Sequence, residues 1–237
     1  MPIIVAKNLI KRFGPKVILR GLNFQVEQGE FVALLGPNGA GKTTFLRILS
    51  SLSRQTLGDV MVAGYHLPDH AAAVRRRLGV VSHMPLLYGD LTAEENLRFY
   101  GRMYAVPELD QRISAVLDLV GLAPRRKDLV RTFSRGMQQR LAIGRAVLHD
   151  PEVLLLDEPH TGLDQDACAM LDDVLRQVAA RGRTVVMTSH DLARAQDLAS
   201  RFDVLTRGSI RGSALTANLP QDGVLAFYRR TLEEAVQ

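Results

Sequence analysis

Residues 31–44 read FVALLGPNGAGKTT. The run Phe31 to Leu35 is apolar and strand-length, as expected of a strand covered on both faces of a parallel sheet. It leads straight into Gly36-Pro37-Asn38-Gly39-Ala40-Gly41-Lys42-Thr43-Thr44, which fits the G-x-x-x-x-G-K-[ST] phosphate-binding pattern. Gly36, Gly39 and Gly41 permit backbone conformations closed to other residues, so the loop can turn its N–H groups inward around a polyphosphate. A helix starting near Lys42 adds the positive end of its dipole. Lys42 can reach terminal phosphates, and the Thr43 hydroxyl can ligate Mg²⁺. The pattern implies nucleotide binding without saying what the nucleotide is used for.

The chain has 237 residues, 46% of them hydrophobic. That is one large domain, or a core with an insertion. No apolar run approaches the ~18 residues of a spanning helix. The start MPIIVAKNLIKRF is too interrupted by charge for a signal peptide. A cytosolic chain that can dock on a membrane protein is expected. The single cysteine, Cys168, excludes an intrachain disulfide and a zinc cluster. The net charge of +5 includes the runs Arg75-Arg76-Arg77 and Arg125-Arg126-Lys127. No aromatic residues interleave them, so nucleic acid is not expected; a solvated face or attraction to anionic headgroups explains the charge as well.

Along the chain, IIVAKNLIKRF and VILRGLNFQV read as strands separated by Gly14-Pro15. They predict an antiparallel sheet over the nucleotide site. A helix is expected from Lys42 to Leu52 and a strand from Gly58 to Gly64. From about Leu86 to His149 the pattern is helical, with a Thr92-x-x-Glu95 capping box. After Pro151 strands return as VLLLDE and TVVMTSH, flanking a helix from about Asp164 to Ala180. A hairpin and a last helix, AFYRRTLEEAV, close the chain. The fold class is α/β: a phosphate-loop core (1–84 and 150–215) carrying an antiparallel β subdomain, an inserted helical subdomain (85–149) and a tail helix (216–237).

The strand Val153 to Leu156 ends in Asp157-Glu158. Strand ends of such sheets converge on the ligand. Asp157 would hold Mg²⁺ there, and Glu158 would polarise an attacking water as general base. A strand ending in a solvated acidic turn is the bland alternative. His190, at the end of the strand from Thr184 to Ser189, would stand beside the γ-phosphate and orient the water, or be no more than a histidine at a strand end.

The segment FSRGMQQR, Phe133 to Arg140, upstream of the acidic pair, resembles the signature of ABC transporter ATP-binding subunits, usually LSGGQ followed by QR. Over nearly its full length the chain is similar to that family. The resemblance implies a P-loop ABC ATPase fold, Mg-ATP as cofactor, and two identical chains facing head to tail around two ATPs. It also implies separate transmembrane permease subunits and a place on the cytoplasmic face of a membrane. It makes Phe13 the aromatic that stacks on adenine and Asp164 the acid of the dimer-seam loop Thr161-Gly162-Leu163-Asp164. Ser134, Arg135, Gly136 and Met137 become the signature residues that meet the partner's ATP, with Ser134 as helix cap. Two departures stand out. Arg135 and Met137 replace the usual glycine and glutamine, and Arg135 brings a cation toward the partner's phosphate. The glutamine that follows the strand LGVVS in the family falls at His83 or Met84, neither of which is glutamine. Weaker turnover or altered coupling is expected from that.

The stretches VVSHMPLLYGDLTAEENLRFYGRMY and FSRGMQQRLAIGRAVLHDPEVLLLDEPHTGLD are similar to the ATPase of the haem exporter of bacterial cytochrome c maturation. Drug and polysaccharide exporter ATPases share much of them. A soluble ABC ATPase without a transport role is the remaining alternative.

Overall fold

In the computed structural model, which describes residues 1–82, 84–219 and 222–235, the run Phe31–Leu35 is a strand, β3, buried at every residue. Its period of two divides the interior. Phe31, Ala33 and Leu35 face one core cluster, and Val32 and Leu34 the other. The strands Val153–Asp157 (β7) and Thr184–Thr188 (β8) behave the same way: Leu154, Leu156, Val185 and Met187 point to the first core, Val153, Leu155 and Val186 to the second. A strand apolar on both faces must be covered on both, so the continuous apolar runs dictate a layered α/β fold.

These strands belong to a six-stranded sheet. Its order is β10-β9-β3-β8-β7-β6, with β6 Leu78–Val81, β9 Arg201–Thr206 and β10 Ser209–Leu215. β3 lies parallel between β8 and β9, and β7 parallel between β6 and β8. Only β10 runs antiparallel, as the hairpin partner of β9. The second sheet is antiparallel, in the order β2-β1-β4-β5, from β1 Pro2–Phe13, β2 Lys16–Glu27, β4 Leu57–Val62 and β5 Tyr65–Leu67. Helix α1, Lys42–Leu49, buries Phe45, Leu46, Ile48 and Leu49 in the core between the two sheets, and Phe24 of β2 meets Phe45 edge-on with centroids 5.1 Å apart.

The opposite core takes helices α3 Ala93–Met103, α4 Leu109–Leu119, α5 Arg135–Val147 and α6 Gln165–Ala180. Thr92 caps α3: its hydroxyl accepts from Glu95 N at 3.2 Å and Glu95 Oε2 accepts from Thr92 N at 2.8 Å, so both halves of the capping box form. Arg201 ties the two sheets together, its guanidinium reaching Glu30, Asp203 and the Gln25 carbonyl.

Several boundaries differ from those expected of the sequence. α1 stops at Leu49 rather than Leu52, because the backbone turns at Ser51 with φ 60°. β4 stops at Val62, since Ala63 and Gly64 form a turn with positive φ. The helical stretch 86–149 is interrupted between Val120 and Ser134 by irregular chain with two short 3₁₀ turns. The basic run Arg75–Arg77 ends a helix, α2 Ala71–Arg77. Short helix α7, Leu192–Leu198, follows His190, and the last helix, α8, runs from Gly223, ahead of the run AFYRRTLEEAV, to Glu234, so it fills only part of the expected tail 216–237. The basic runs are partly neutralised within the chain: Arg77 lies 3.2 Å from Glu152, Arg125 3.0 Å from Asp128 and Arg126 2.8 Å from Glu94. Among the described residues no helix is long and apolar enough to cross a membrane.

Candidate functional site: a phosphate loop with two carboxylates at the strand ends

The loop from Gly36 to Gly41 leaves the end of β3 and caps α1. Gly36 has φ 152°, and a Cβ there would run into the Leu205 carbonyl of the neighbouring β9. Gly41, the N-cap of α1, has φ 112°, and a Cβ there would lie 2.8 Å from Leu19 Cδ2 on β2. The two sheets therefore both press on the loop, which only glycine at these two positions allows. Pro37, Asn38 and Gly39 stay exposed and Ala40 is buried. Lys42 is buried, and its ammonium sits inside the loop, donating to the Gly36 carbonyl at 2.7 Å and the Pro37 carbonyl at 3.3 Å. Burial pulls its pKa below the ordinary lysine value, against the opposing charges of Glu158 and Asp157.

Parallel pairing sets Asp157 beside Thr188. Asp157 Oδ1 accepts from Thr188 Oγ1 at 2.8 Å and from Thr43 Oγ1 at 3.2 Å. Thr188 Oγ1 also accepts from the Glu158 amide at 2.9 Å. Glu158 itself takes φ 52°, a left-handed conformation that costs roughly 1–3 kcal/mol for a residue with a side chain. The turn aims its carboxylate at His190, whose Nε2 lies 2.5 Å from Glu158 Oε1. Thr43, Asp157, Glu158 and His190 are thus gathered at the C-terminal ends of β7 and β8, while Thr44 continues α1, half-buried.

The remaining residues singled out in the sequence lie around this cluster. Phe13 ends β1, 54% exposed, with Lys11 Nζ 4.6 Å from its ring centroid. Ser134 caps α5, its hydroxyl accepting from Met137 N at 3.2 Å. Arg135 folds back on its own chain: a Cβ on Gly162 would lie 2.6 Å from its Cζ, so the guanidinium covers the loop from Thr161 to Asp164. Gly136 faces Ala167 and Leu163, and Met137 packs at the edge of the helical core. Asp164 caps α6 through Ala167 N at 2.8 Å. Met84 is exposed, its carbonyl accepting from Ser82 Oγ at 2.7 Å; His83 lies outside the described residues.

A cavity of about 250 Å³ between Ser82, Pro85, Arg135, Gln138, Gln139, Asp157 and Glu158 opens beside the carboxylates. Gln139, part of the signature segment but given no role in the sequence, donates to the Pro159 carbonyl at 3.0 Å and so fixes the chain just after Glu158. The sequence marks Thr188 only as part of a strand, yet it holds both acidic residues. Only its register opposite Asp157, visible in the structure, reveals that role. Thr43 and Asp157 offer hard oxygen donors within hydrogen-bond reach of each other beside a loop of backbone amides, a donor set that suits Mg²⁺ shared with phosphate oxygens.

A family model described as ABC transporter matches residues 19–161. Among curated proteins, the chain is 38% identical to the linearmycin resistance ATP-binding protein LnrL of Bacillus subtilis over 86% of this chain and 67% of that one. It is 37% identical to the Nod factor export ATP-binding protein I of Ralstonia nicotianae over 87% of this chain and 65% of that one. The chain thus spans about two thirds of the length of these relatives. Among solved structures, an ATP-binding subunit of an ABC transporter superposes with a TM-score of 0.89 at 28% identity, covering 97% of this chain and 99% of that one. A dimeric ATP-binding cassette in a post-hydrolysis state with ADP and Pi superposes with a TM-score of 0.82 at 28% identity, covering 90% and 98%. The phosphate loop, the layered core and these matches agree: the chain belongs to the ABC transporter family and carries its ATP-binding fold.

Proposed function

We propose that the chain is the ATP-hydrolysing motor of a membrane exporter. It would work as a pair of identical chains docked on transmembrane permease subunits at the cytoplasmic face of a membrane. The observation that carries this reading is the cluster of Thr43, Asp157, Glu158 and His190 at the mouth of the phosphate loop. Lys42 would exchange its two carbonyl partners for phosphate oxygens. Thr43 and Asp157 would hold Mg²⁺, which when bound neutralises phosphate charge. Glu158 accepts the proton of the attacking water, and His190, in contact with that carboxylate, orients it. Phe13 offers its exposed face to adenine. Ser134 and the amides around Gly136 meet the partner's ATP. The dimeric state of a similar cassette supports the pairing.

Relatives named for Nod factor export and linearmycin resistance favour export of a cargo other than haem. Haem export is the second reading. It rests on the Ser134-Arg135-Gly136-Met137 signature, and those relatives' names do not support it.

The test is a Glu158→Gln chain, tagged and expressed in host membranes, then solubilised with Mg-ATP. An ATP-stabilised dimer that co-purifies with multi-spanning subunits is expected. Haem absorbance in that complex would select the haem reading, and its absence the other exporters. A monomer at saturating Mg-ATP, or soluble partners alone, would contradict the proposal.

A further inference from the structure

Glu158 and His190 are not the only acid and imidazole in contact near these strand ends. Two residues beyond Glu158, His160 Nε2 lies 2.7 Å from Asp172 Oδ1. The second Asp172 oxygen accepts from Arg194 Nη1 at 2.8 Å. The side chains of His160 and Asp172 are only 9% and 8% exposed. The three residues come from three elements: the loop after β7, the middle of α6 and the first turn of α7.

Arg194 closes the path back to the site. Its amide donates to Asp191 Oδ1 at 3.1 Å, which caps α7, and its Nε lies 3.4 Å from Asp191 Oδ2. Asp191 follows His190, whose ring meets Glu158 at 2.5 Å. Contacts and chain together form a ring: Glu158, His160, Asp172, Arg194, Asp191, His190 and Glu158 again. Asp164, capping the other end of the seam loop on α6, fixes that loop to the same helix.

Burying an aspartate among polar partners gains little stability over an apolar packing of equal volume; what it adds is directional geometry. Burial also holds the His160 imidazole below its ordinary pKa, against the pull of Asp172. Its Nδ1 is buried with no partner among the described residues, as befits a neutral ring that carries its proton on Nε2 and donates to Asp172. His160 Nε2, both Asp172 oxygens and the Arg194 guanidinium are therefore each held by a directed contact.

We propose that His160, Asp172 and Arg194 are positioning residues that hold His190 against Glu158, by bracing the first turn of α7 on α6 and on the chain just after the general base. The inference rests on the reading of Glu158 and His190 as the hydrolytic pair. Without the brace the phosphate loop is untouched, so nucleotide affinity is kept. The imidazole, however, is freed to move by a fraction of an ångström to an ångström, a displacement able to cost up to about 100-fold in rate.

The test is steady-state Mg-ATP turnover of the full chain as wild type, His160→Ala, His160→Gln, Asp172→Asn and Glu158→Gln, with melting temperature followed alongside. His160→Ala and Asp172→Asn are expected to lower kcat by about tenfold or more while KM stays within about twofold. His160→Gln, whose amide can still donate to Asp172, is expected to recover most of the loss. If kcat stays within about twofold of wild type in both His160→Ala and Asp172→Asn, the proposal is overturned. A loss that tracks melting temperature, raises KM in parallel and is not recovered by glutamine overturns it too, because that pattern marks a role in folding alone. Wild-type and Glu158→Gln chains of equal turnover would instead remove the hydrolytic reading itself, whatever His160 does.

Discussion

Thr188 Oγ1 accepts from the Glu158 amide and donates to Asp157 Oδ1, so one hydroxyl sets both the direction of the Asp157 carboxylate and the left-handed turn at Glu158. Thr188→Val keeps the shape and removes the hydroxyl. It leaves the Glu158 N–H and one Asp157 lone pair without that partner, and truncated buried partners of this kind cost about 1–3 kcal/mol. Turnover is expected to fall about tenfold or more, with a smaller effect on ATP affinity; kinetics of the purified variant check this. Gly36 is the sharper case. An added Cβ meets the Leu205 backbone, not a side chain that could swing away. Gly36→Ala is therefore expected to abolish ATP binding in equilibrium titration. The motif named Gly36, Lys42 and Thr43 in the sequence because their spacing is local. Thr188, Gln139 and the His160–Asp172–Arg194 contacts were not legible, because each joins elements distant along the chain, and no local period encodes such a pairing.

Elements were readable where their end signals are strong. Thr92 and Glu95 announced α3, Ser134 announced α5, and both caps form. The buried strands β3, β7 and β8 followed from uninterrupted apolar runs. Short α2 and α7 did not stand out: seven residues give barely two turns of periodicity, and the arginines of α2 read as a charge run. Thr92→Ala removes the hydroxyl half of the α3 box and is expected to cost about 1 kcal/mol. Because α3 sits on the inserted helical layer, chemical denaturation should show that loss, with ATP turnover little changed.

For the whole molecule, the layering follows from strands apolar on both faces, and it places one core between the two sheets and another beneath the helices. His149 belongs to the second layer. Its ring stacks on Tyr104 at 3.9 Å and its Nε2 meets the Leu78 carbonyl at 3.0 Å. Burial lowers its pKa from 6.5 to about 4; the Leu78 carbonyl and Asp150 oppose the shift, while Arg112 and Arg145 add to it. The sign follows from proton binding. Between these two values the unfolded chain takes up a proton that the folded chain refuses, so stability is full above pH ~6.5 and falls as pH drops toward 4. The loss is about 3 kcal/mol at most from this group, and His160, shifted the same way, adds to it. Urea midpoints measured across that range should fall with acidity, and His149→Phe should flatten the slope.

Under the proposed function, Glu158, held against His190 beside the phosphate loop, performs hydrolysis. Steady-state Mg-ATP turnover of wild type against Glu158→Gln tests it most directly. Removing a general base is expected to lower kcat by about 100-fold or more, with ATP still bound and the dimer accumulating. Equal turnover in the two chains would contradict the account.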